Sequence, residues 1–456
     1  LKPDPQIFDY GIVGGGAAGT ILAIRLLQVA PAGTRIAMVE AGEPGRGVAY
    51  GSDNPAHVLN VPAGGMSVFG ERPDDFVDFL RQRDGHATPV AFVPRRDYAA
   101  YLAQRLGEAR AVSAAKFVHV QAQASRIEPG DGRVDVVLDD GARIVARRVA
   151  LAPGNRARDC PFKADGMRRV RSAWDAAGLL DIGRDDAVVI AGTGLSMVDV
   201  VLGLEARGHR GPVTVVSRHG LMPLPHAADK HAVDFDIDAF AALGLRQRLR
   251  LLRATARRMQ AAGLPWQSLM DALRHHVRRL WQNLSADDQR RFLRHAVRHW
   301  DVHRHRIPAR VAERLQTLQG SGDLVLMAGR IRKANESDGG IDIELESRDG
   351  NVQQLHAQWL INATGIETRA AHYPNPLLRA MLDAGHARPG PHGLGINTDA
   401  EAMVTDAAGT PQPRIAAIGS LRLGTLWETT AVPDLRGDAL ALATRWSLTD
   451  AAQRGA

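Results

Sequence analysis

The sequence predicts an α/β chain with two open, mostly parallel sheets, the second inserted into the first. Three observations carry this prediction. Two glycine-rich turns, Gly14-Gly15-Gly16-Ala17-Ala18-Gly19 and Gly192-Thr193-Gly194-Leu195-Ser196, each follow an apolar run and lie about 180 residues apart. After each turn a faint repeat recurs: a strand, an Arg-Ile pair, an acidic turn, an alternating strand and a final apolar strand ending in glycine. A last apolar run, Arg414 to Gly419, and a helix beginning at Thr429-Thr430-Ala431-Val432-Pro433 then return the chain to the first sheet.

The first turn has the parts of a Rossmann-like dinucleotide site. The strand Tyr10 to Val13 runs into glycines spaced G-x-G-x-x-G, and a helix with Ile21, Leu22, Ile24, Leu26 and Leu27 follows. Gly14 allows the tight turn, Gly16 the approach of a pyrophosphate, and Gly19 the close packing of helix on strand. Free N–H groups at the helix start, including those near Ala17 and Ala18, face the phosphates. The strand Arg35 to Val39 ends at Glu40, whose carboxylate suits an adenosine ribose. A merely structural glycine turn is the plain alternative.

The second turn is less regular. It follows Ala187 to Ala191, and Met197 replaces the last glycine, so its helix should pack differently on its strand. Gly192, Gly194, Leu195 and Ser196 are the expected binding positions. The strand Val213 to Val216 ends in Ser217-Arg218 rather than an acid. A guanidinium there can pair with a 2′-phosphate, which favours NADPH over NADH, the alternative being a solvated surface arginine. Two nucleotide sites on one chain suggest a held flavin, FAD, and a nicotinamide that reduces it.

The repeat sets the domain limits. Its first copy runs through Phe117–Val120, Arg126-Ile127, Val134–Leu138 and Val149–Gly154, and its second through Leu324–Met327, Arg330-Ile331, Ile341–Leu345 and Leu360–Gly365. The expected domains are an FAD-binding part at 1–160, an NAD(P)H-binding domain at 161–365, and an FAD-binding return segment at 366–456. Between 238 and 320 strand signals give way to a helical insertion, with Leu249, Leu252, Ala256 and Met259 on one face and Leu269, Leu273, Val277 and Leu280 on another. Pro265 suits a helix start, and Ser285 with Asp288 reads as a cap. The insertion reads equally as an active-site lid or a structural layer.

Composition narrows the class. The 456 residues are 45% hydrophobic and 23% charged, an ordinary globular balance. The net charge of +7 comes almost wholly from arginine, and the 5% aromatics do not interleave with it as nucleic-acid stacking platforms would. No nucleic-acid partner is expected. The single cysteine, Cys160, excludes an internal dithiol mechanism. The chain reaches its first strand within ten residues with no charged-then-apolar leader, and no run suits a membrane span, so the cytoplasm is the expected location. The oligomeric state stays open, a homo-oligomer included.

Further residues are candidates for chemistry. His57 and Asn60 lie where a loop of the first domain would reach a flavin; an amide and an imidazole there suit oxygen chemistry and proton transfer, or else bond their own loop. His295, His299 and His303 recur every four residues, but surrounding arginines oppose a divalent cation, so no metal is expected. The segment His303-Arg304-His305-Arg306 is a candidate for a substrate carboxylate or nicotinamide phosphates, with helix packing as the alternative.

Several runs resemble the FAD/NAD(P)-binding family of two-domain flavoproteins. They are Gly45-Arg46-Gly47-Val48-Ala49-Tyr50, His57-Val58-Leu59-Asn60-Val61-Pro62-Ala63, Pro94-Arg95-Arg96-Asp97-Tyr98, Gly192 to Asp199, Trp300 to Arg306 and Trp427-Glu428-Thr429-Thr430-Ala431-Val432-Pro433. The resemblance implies flavin contacts at Arg46 and at Thr430, Ala431 and Val432, where a helix N-terminus meets the isoalloxazine. More distantly, the chain is similar to flavin monooxygenases that N-hydroxylate amines and amino acids with NADPH and O2 through a C4a-hydroperoxyflavin. It departs from them at Ile366, where a tyrosine is usual, and at Ser420, where an acid often binds the flavin ribityl chain. The resemblance thus implies a monooxygenase acting on a small amine or amino acid. A non-oxygenating flavin dehydrogenase or reductase, and a flavin-bound redox sensor or interaction protein without turnover, are the alternatives.

Overall fold

The computed structural model describes residues 7–162, 164 and 166–454, with backbone only for 451–454; the short N-terminal lead-in at 1–6 lies outside the described residues. Two compact units divide the chain: residues 1–55, 62–156 and 367–456 form the first, and 56–61 with 157–366 the second.

The first unit contributes β1 (Phe8–Val13), β2 (Arg35–Val39), β3 (Lys116–Val120), β4 (Ala124–Pro129), β5 (Val134–Leu138) and β6 (Arg143–Leu151). The second contributes β7 (Val170–Ser172), β8 (Val188–Ala191), β9 (Val213–Ser217), β10 (Leu324–Ser337), β11 (Gly340–Ser347), β12 (Val352–Ala357) and β13 (Trp359–Asn362). The return to the first unit adds β14 (Met403–Thr405) and β15 (Pro411–Ala417).

In the first unit the order β14-β15-β6-β1-β2-β3 is parallel from β15 to β3, with Val13 beside Val39 and Leu151. Strands β4 and β5 form an antiparallel meander feeding into β6. Strands β1 and β2 and the last residues of β6 and β15 are apolar runs buried on both faces, as the centre of a covered parallel sheet requires, while β3 lies partly exposed at the edge. The helix Ala17–Val29 after the first turn packs against the final helix, Val432–Arg454. There Tyr10 stacks on Trp446 at 5.3 Å and donates a 2.6 Å hydrogen bond to Asp450, which also pairs with buried Arg148.

The second unit repeats the plan with the order β12-β11-β10-β9-β8-β13-β7. The repeat is not exact: β6 both ends the first meander and joins the central sheet, whereas β12 and β13 divide these roles in the second unit. Strands β3 and β4 are separate, whereas their counterparts fuse into the 14-residue β10, which passes from β9 to β11 between Ala328 and Gly329; the irregularity at Ile331/Lys333 matches one at Ala124/Arg126 in the first meander. The expected α/β fold with inserted second domain, meanders and helical insertion is the observed one.

The insertion holds seven helices between Ile237 and Ser321. Ser285 caps one by accepting from Asp288 N at 3.2 Å. Leu269, Leu273, Val277 and Leu280 are all buried but belong to two helices, which end at Arg274 and restart at Val277. Likewise, the helix carrying His295 stops there and a new one starts at Val297, so His295, His299 and His303 do not share one continuous face. No described helix is long and apolar enough to cross a membrane.

Candidate functional site

The first glycine turn is fixed by close backbone contacts. Gly14 has φ +102° and donates to Val39 O at 2.9 Å; a Cβ on it would lie 2.1 Å from Ala152 O. A Cβ on Gly19 would lie 1.9 Å from Gly14 O. Both positions therefore exclude a side chain. Gly16 is different: a Cβ there would meet only Gly47 Cα, at 3.8 Å, so the turn leaves open space where a pyrophosphate needs it. Gly16 begins the helix through Ala17 and Ala18 without a side-chain cap and with no acid in the first turn, leaving N–H donors for a ligand.

Glu40 stands beside this turn. One carboxylate oxygen accepts from Gly15 N at 2.6 Å and the other from Gly42 N at 3.0 Å. Each oxygen keeps a second acceptor site, so ribose hydroxyls can still be bound. The His119 ring bonds the Glu40 carbonyl oxygen at 2.8 Å, and a cavity of about 640 Å³ opens next to it, lined by Glu43, Arg46, Arg96, Asp97, Arg110 and Phe117 among others. Arg46 pairs with Asp53 at 2.5 Å and donates to Gly51 O at 3.0 Å, so loop carboxylates orient its guanidinium. The Arg96-Asp97-Tyr98 run divides between cavity wall and core. Arg96 and Asp97 line this cavity, where burial pushes the Asp97 carboxyl up, and Tyr98 is a buried core ring tilted on Tyr50 at 4.6 Å.

Gly419, with φ +77°, ends the run after β15; a Cβ there would lie 3.4 Å from Ala18 and 3.5 Å from Leu435. The first helix, the return strand and the final helix thus meet at the same place. Thr430 and Ala431 lead into that final helix, which starts at Val432, and the fully buried Thr429 hydroxyl just before them has no hydrogen-bond partner among the described residues. An orphaned hydroxyl and an open glycine turn are features that a bound flavin nucleotide would complete.

The second turn repeats the first lock. Gly192 has φ +111°, donates to Val216 O at 2.8 Å, and would place a Cβ 2.3 Å from Ala363 O. Gly194 begins the helix Leu195–Ala206 with nothing within 4 Å of its Cβ position. Met197 is fully buried among Ile190, Val201 and Leu315, so a side chain fills the space that Gly19 leaves to backbone. Ser196 accepts from Trp174 Nε1 at 3.2 Å. Arg218 is exposed just beyond β9 and makes no hydrogen bond or ion pair among the described residues. Beside it, burial first and then Arg218 and Arg348 hold His219 below the usual histidine range.

His57 and Asn60 do not belong to the first unit, contrary to the sequence expectation. Their segment, 56–61, is part of the second unit, because Val58 packs on the core around Val188 and Ile190, and His226 Nε2 donates to Asn60 O at 2.9 Å. Burial holds His226 below its ordinary range, so the ring is a neutral donor there. In the His303 to Arg306 segment, Arg306 is only 3% exposed, pairs with Asp271 and donates to Gln267 O at 3.3 Å. Two of its nitrogens are thus engaged within the insertion, while its buried Nε has no hydrogen-bond partner among the described residues. His303 bonds His299 O at 2.7 Å and meets Trp266 edge-on at 4.9 Å; Arg304 and His305 lie beside it, His305 4.0 Å from Asp301.

The fold repeats one nucleotide-type glycine turn in each unit, and residues 11–156 match the FAD-NAD(P)-binding family model. The first unit therefore carries an FAD-NAD(P)-binding domain. The whole chain is similar in structure to the ornithine N-hydroxylase of Kutzneria sp. 744 with reduced FAD, NADP+ and L-ornithine, at TM-score 0.66 and 17% identity, covering 98% of this chain and 100% of that one. It is also similar to the L-lysine 6-monooxygenase of Pseudomonas syringae, at TM-score 0.64 and 15% identity over 97% and 99% of the two chains. Thioredoxin reductase of Lactococcus lactis is similar at TM-score 0.54 and 13% identity, over 96% and 97%. At these identities the likeness is one of fold. No curated protein matches the sequence.

Proposed function

We propose that this chain is an FAD-dependent monooxygenase that uses NADPH and O2 to oxidise the nitrogen of a small amine or amino acid, in the manner of N-hydroxylation. The observation that supports it most is end-to-end correspondence with amine-hydroxylating enzymes, this chain covering 97% or more and theirs 99% or more. Overall, one oxygen atom would pass to the substrate nitrogen and the other leave as water, with NADPH as electron source. Bound FAD would supply the hydride acceptor and the oxygen activation.

The chain's own residues have distinct tasks in this reading. Gly14 to Gly19 and the N–H groups after Gly16 hold the FAD pyrophosphate, and Glu40 its ribose. Thr430, Ala431 and Val432 offer helix N-terminal donors to the flavin, where the dipole favours negative charge. Gly192, Gly194, Leu195 and Ser196 hold the nicotinamide nucleotide, and Arg218 its 2′-phosphate. Asn60, on a segment anchored by His226, and His57 are the candidate hydrogen-bonding and proton-transfer groups. His303, Arg304 and His305 remain candidates for a substrate carboxylate.

A second reading, a flavin reductase that oxygenates nothing, is favoured by the thioredoxin reductase likeness, though the single cysteine removes the internal dithiol. Anaerobic flavin bleaching with NADPH and NADH, followed by O2 and a panel of amines and amino acids, tests both. Rapid bleaching that prefers NADPH, with hydroxylamine formed on one substrate, is expected. Bleaching without any hydroxylated product would favour the reductase, and no bleaching would remove both.

A further inference from the structure

The helix Leu245–Ala261 in the insertion carries Arg246, Arg250, Arg253 and Arg257 on one exposed stripe. Their spacing of four, three and four residues confines them to about 60° of the helix circumference and to a row about 16 Å long. None of the four makes a hydrogen bond, ion pair or ring contact among the described residues, and the helix contains no Asp or Glu. That is unusual within this insertion, where Arg279, Arg290, Arg291, Arg298 and Arg306 each pair with an aspartate. Neighbouring like charges at these spacings destabilise a helix.

The opposite face settles one question about what the row can meet. Leu245, Arg248, Thr255 and Met259 are buried, and Arg248 donates to the carbonyls of Ala241, Leu243 and Leu280. The apolar face is therefore committed to the insertion, and the helix has none left to enter a lipid surface. No aromatic residue lies on the row to stack a nucleobase. The steps along the axis, about 4.5 and 6 Å, are those of an α-helix itself. Another helix with carboxylates at i, i+4, i+7 and i+11 matches them one to one, and each guanidinium can take a carboxylate through two parallel N–H···O bonds.

We infer that Arg246, Arg250, Arg253 and Arg257 form a docking row for an acidic helix of a protein partner. This is independent of the oxidoreductase reading. The test uses the full chain and an alanine-rich helical peptide with glutamate at i, i+4, i+7 and i+11, with fluorescence anisotropy at low salt. The control peptide has the same composition with its glutamates spread around the helix. The row peptide is expected to bind about tenfold more tightly than the control, and Arg250→Ala with Arg253→Ala to remove that preference. Both side chains are exposed and their removal relieves like-charge repulsion, so the variant should melt no lower than the parent. Arg250→Glu with Arg253→Glu should in turn prefer a lysine-row peptide, which separates recognition from misfolding. Equal binding of the two peptides, no binding of either, or tighter binding of single-stranded RNA or phosphatidylglycerol vesicles at matched charge would each overturn the proposal.

Discussion

Substituting Gly19 by alanine tests whether the first turn is as tight as its geometry implies. The added Cβ would sit 1.9 Å from Gly14 O and 3.3 Å from Ile12 Cγ2. Ordinary contact with an oxygen begins about 1.3 Å farther out, so the helix Ala17–Val29 must lift from β1 by about that distance. The atom in the way is backbone oxygen and cannot rotate aside. Overpacking of this kind costs about 1–3 kcal/mol, and a fixed obstacle places the change near the upper end. For a unit of this size each kcal/mol lowers the melting temperature by about 2–4 °C, so a drop of about 6–12 °C is expected in the first unit's transition. Calorimetry that resolves the two units is the assay, because a single two-state transition is not to be assumed. The same lift moves the first-turn N–H groups, so FAD carried through purification should fall in parallel. A variant that melts within a degree of the parent and keeps its FAD would refute both the packing argument and the assignment of this turn.

Three other outcomes follow from the sites described. Arg218→Ala should raise the KM for NADPH about 10- to 100-fold and leave that for NADH unchanged, as steady-state flavin reduction would read, because one charge-assisted contact is lost. Arg148→Met should destabilise the first unit by about 3–5 kcal/mol by stranding the buried Asp450 carboxylate, and adding Asp450→Leu should recover part of the loss in a denaturant titration. The hydrogen bond from Arg25 holds the Glu71 carboxyl at about 2, so its contribution is complete above the ordinary glutamate value and is lost as pH falls toward about 2. Glu71 is about half exposed, so the effect is small: Glu71→Gln should flatten a shallow acid-side slope in melting temperature.

The parts of this fold that were legible in the sequence are those encoded locally. Strand Arg35–Val39 and strand Val134–Leu138 begin and end where their apolar patterns do, and each glycine turn sits at its expected strand end. Strand β12 escaped notice because Val352, Gln353, Gln354 and His356 are exposed and show no alternation. The affiliation of Asn60 was out of reach for a different reason: its partner His226 lies 166 residues away, and nothing near Asn60 marks the segment as part of the second unit. Arg306 likewise reads as a free cation until the fold brings Asp271 to it across 35 residues. Whether the three histidines share a face depends on an unbroken helix, and the break at Ala296 leaves no trace in a residue count.

The four crossings of the chain between units bear on its synthesis. The second unit has all of its strands once residue 366 has been made, because segment 56–61 precedes it. The first sheet is then still open: β15, which covers the Val149–Leu151 stretch of β6, and the helix bearing Trp446 are yet to be translated. An inserted unit can therefore finish folding on the ribosome while its host waits with an unpaired central edge, which is the kind of edge that recruits other strands. Chains released early, anywhere between about residue 370 and β15, should be lost to aggregation through the host unit even though the inserted one is complete.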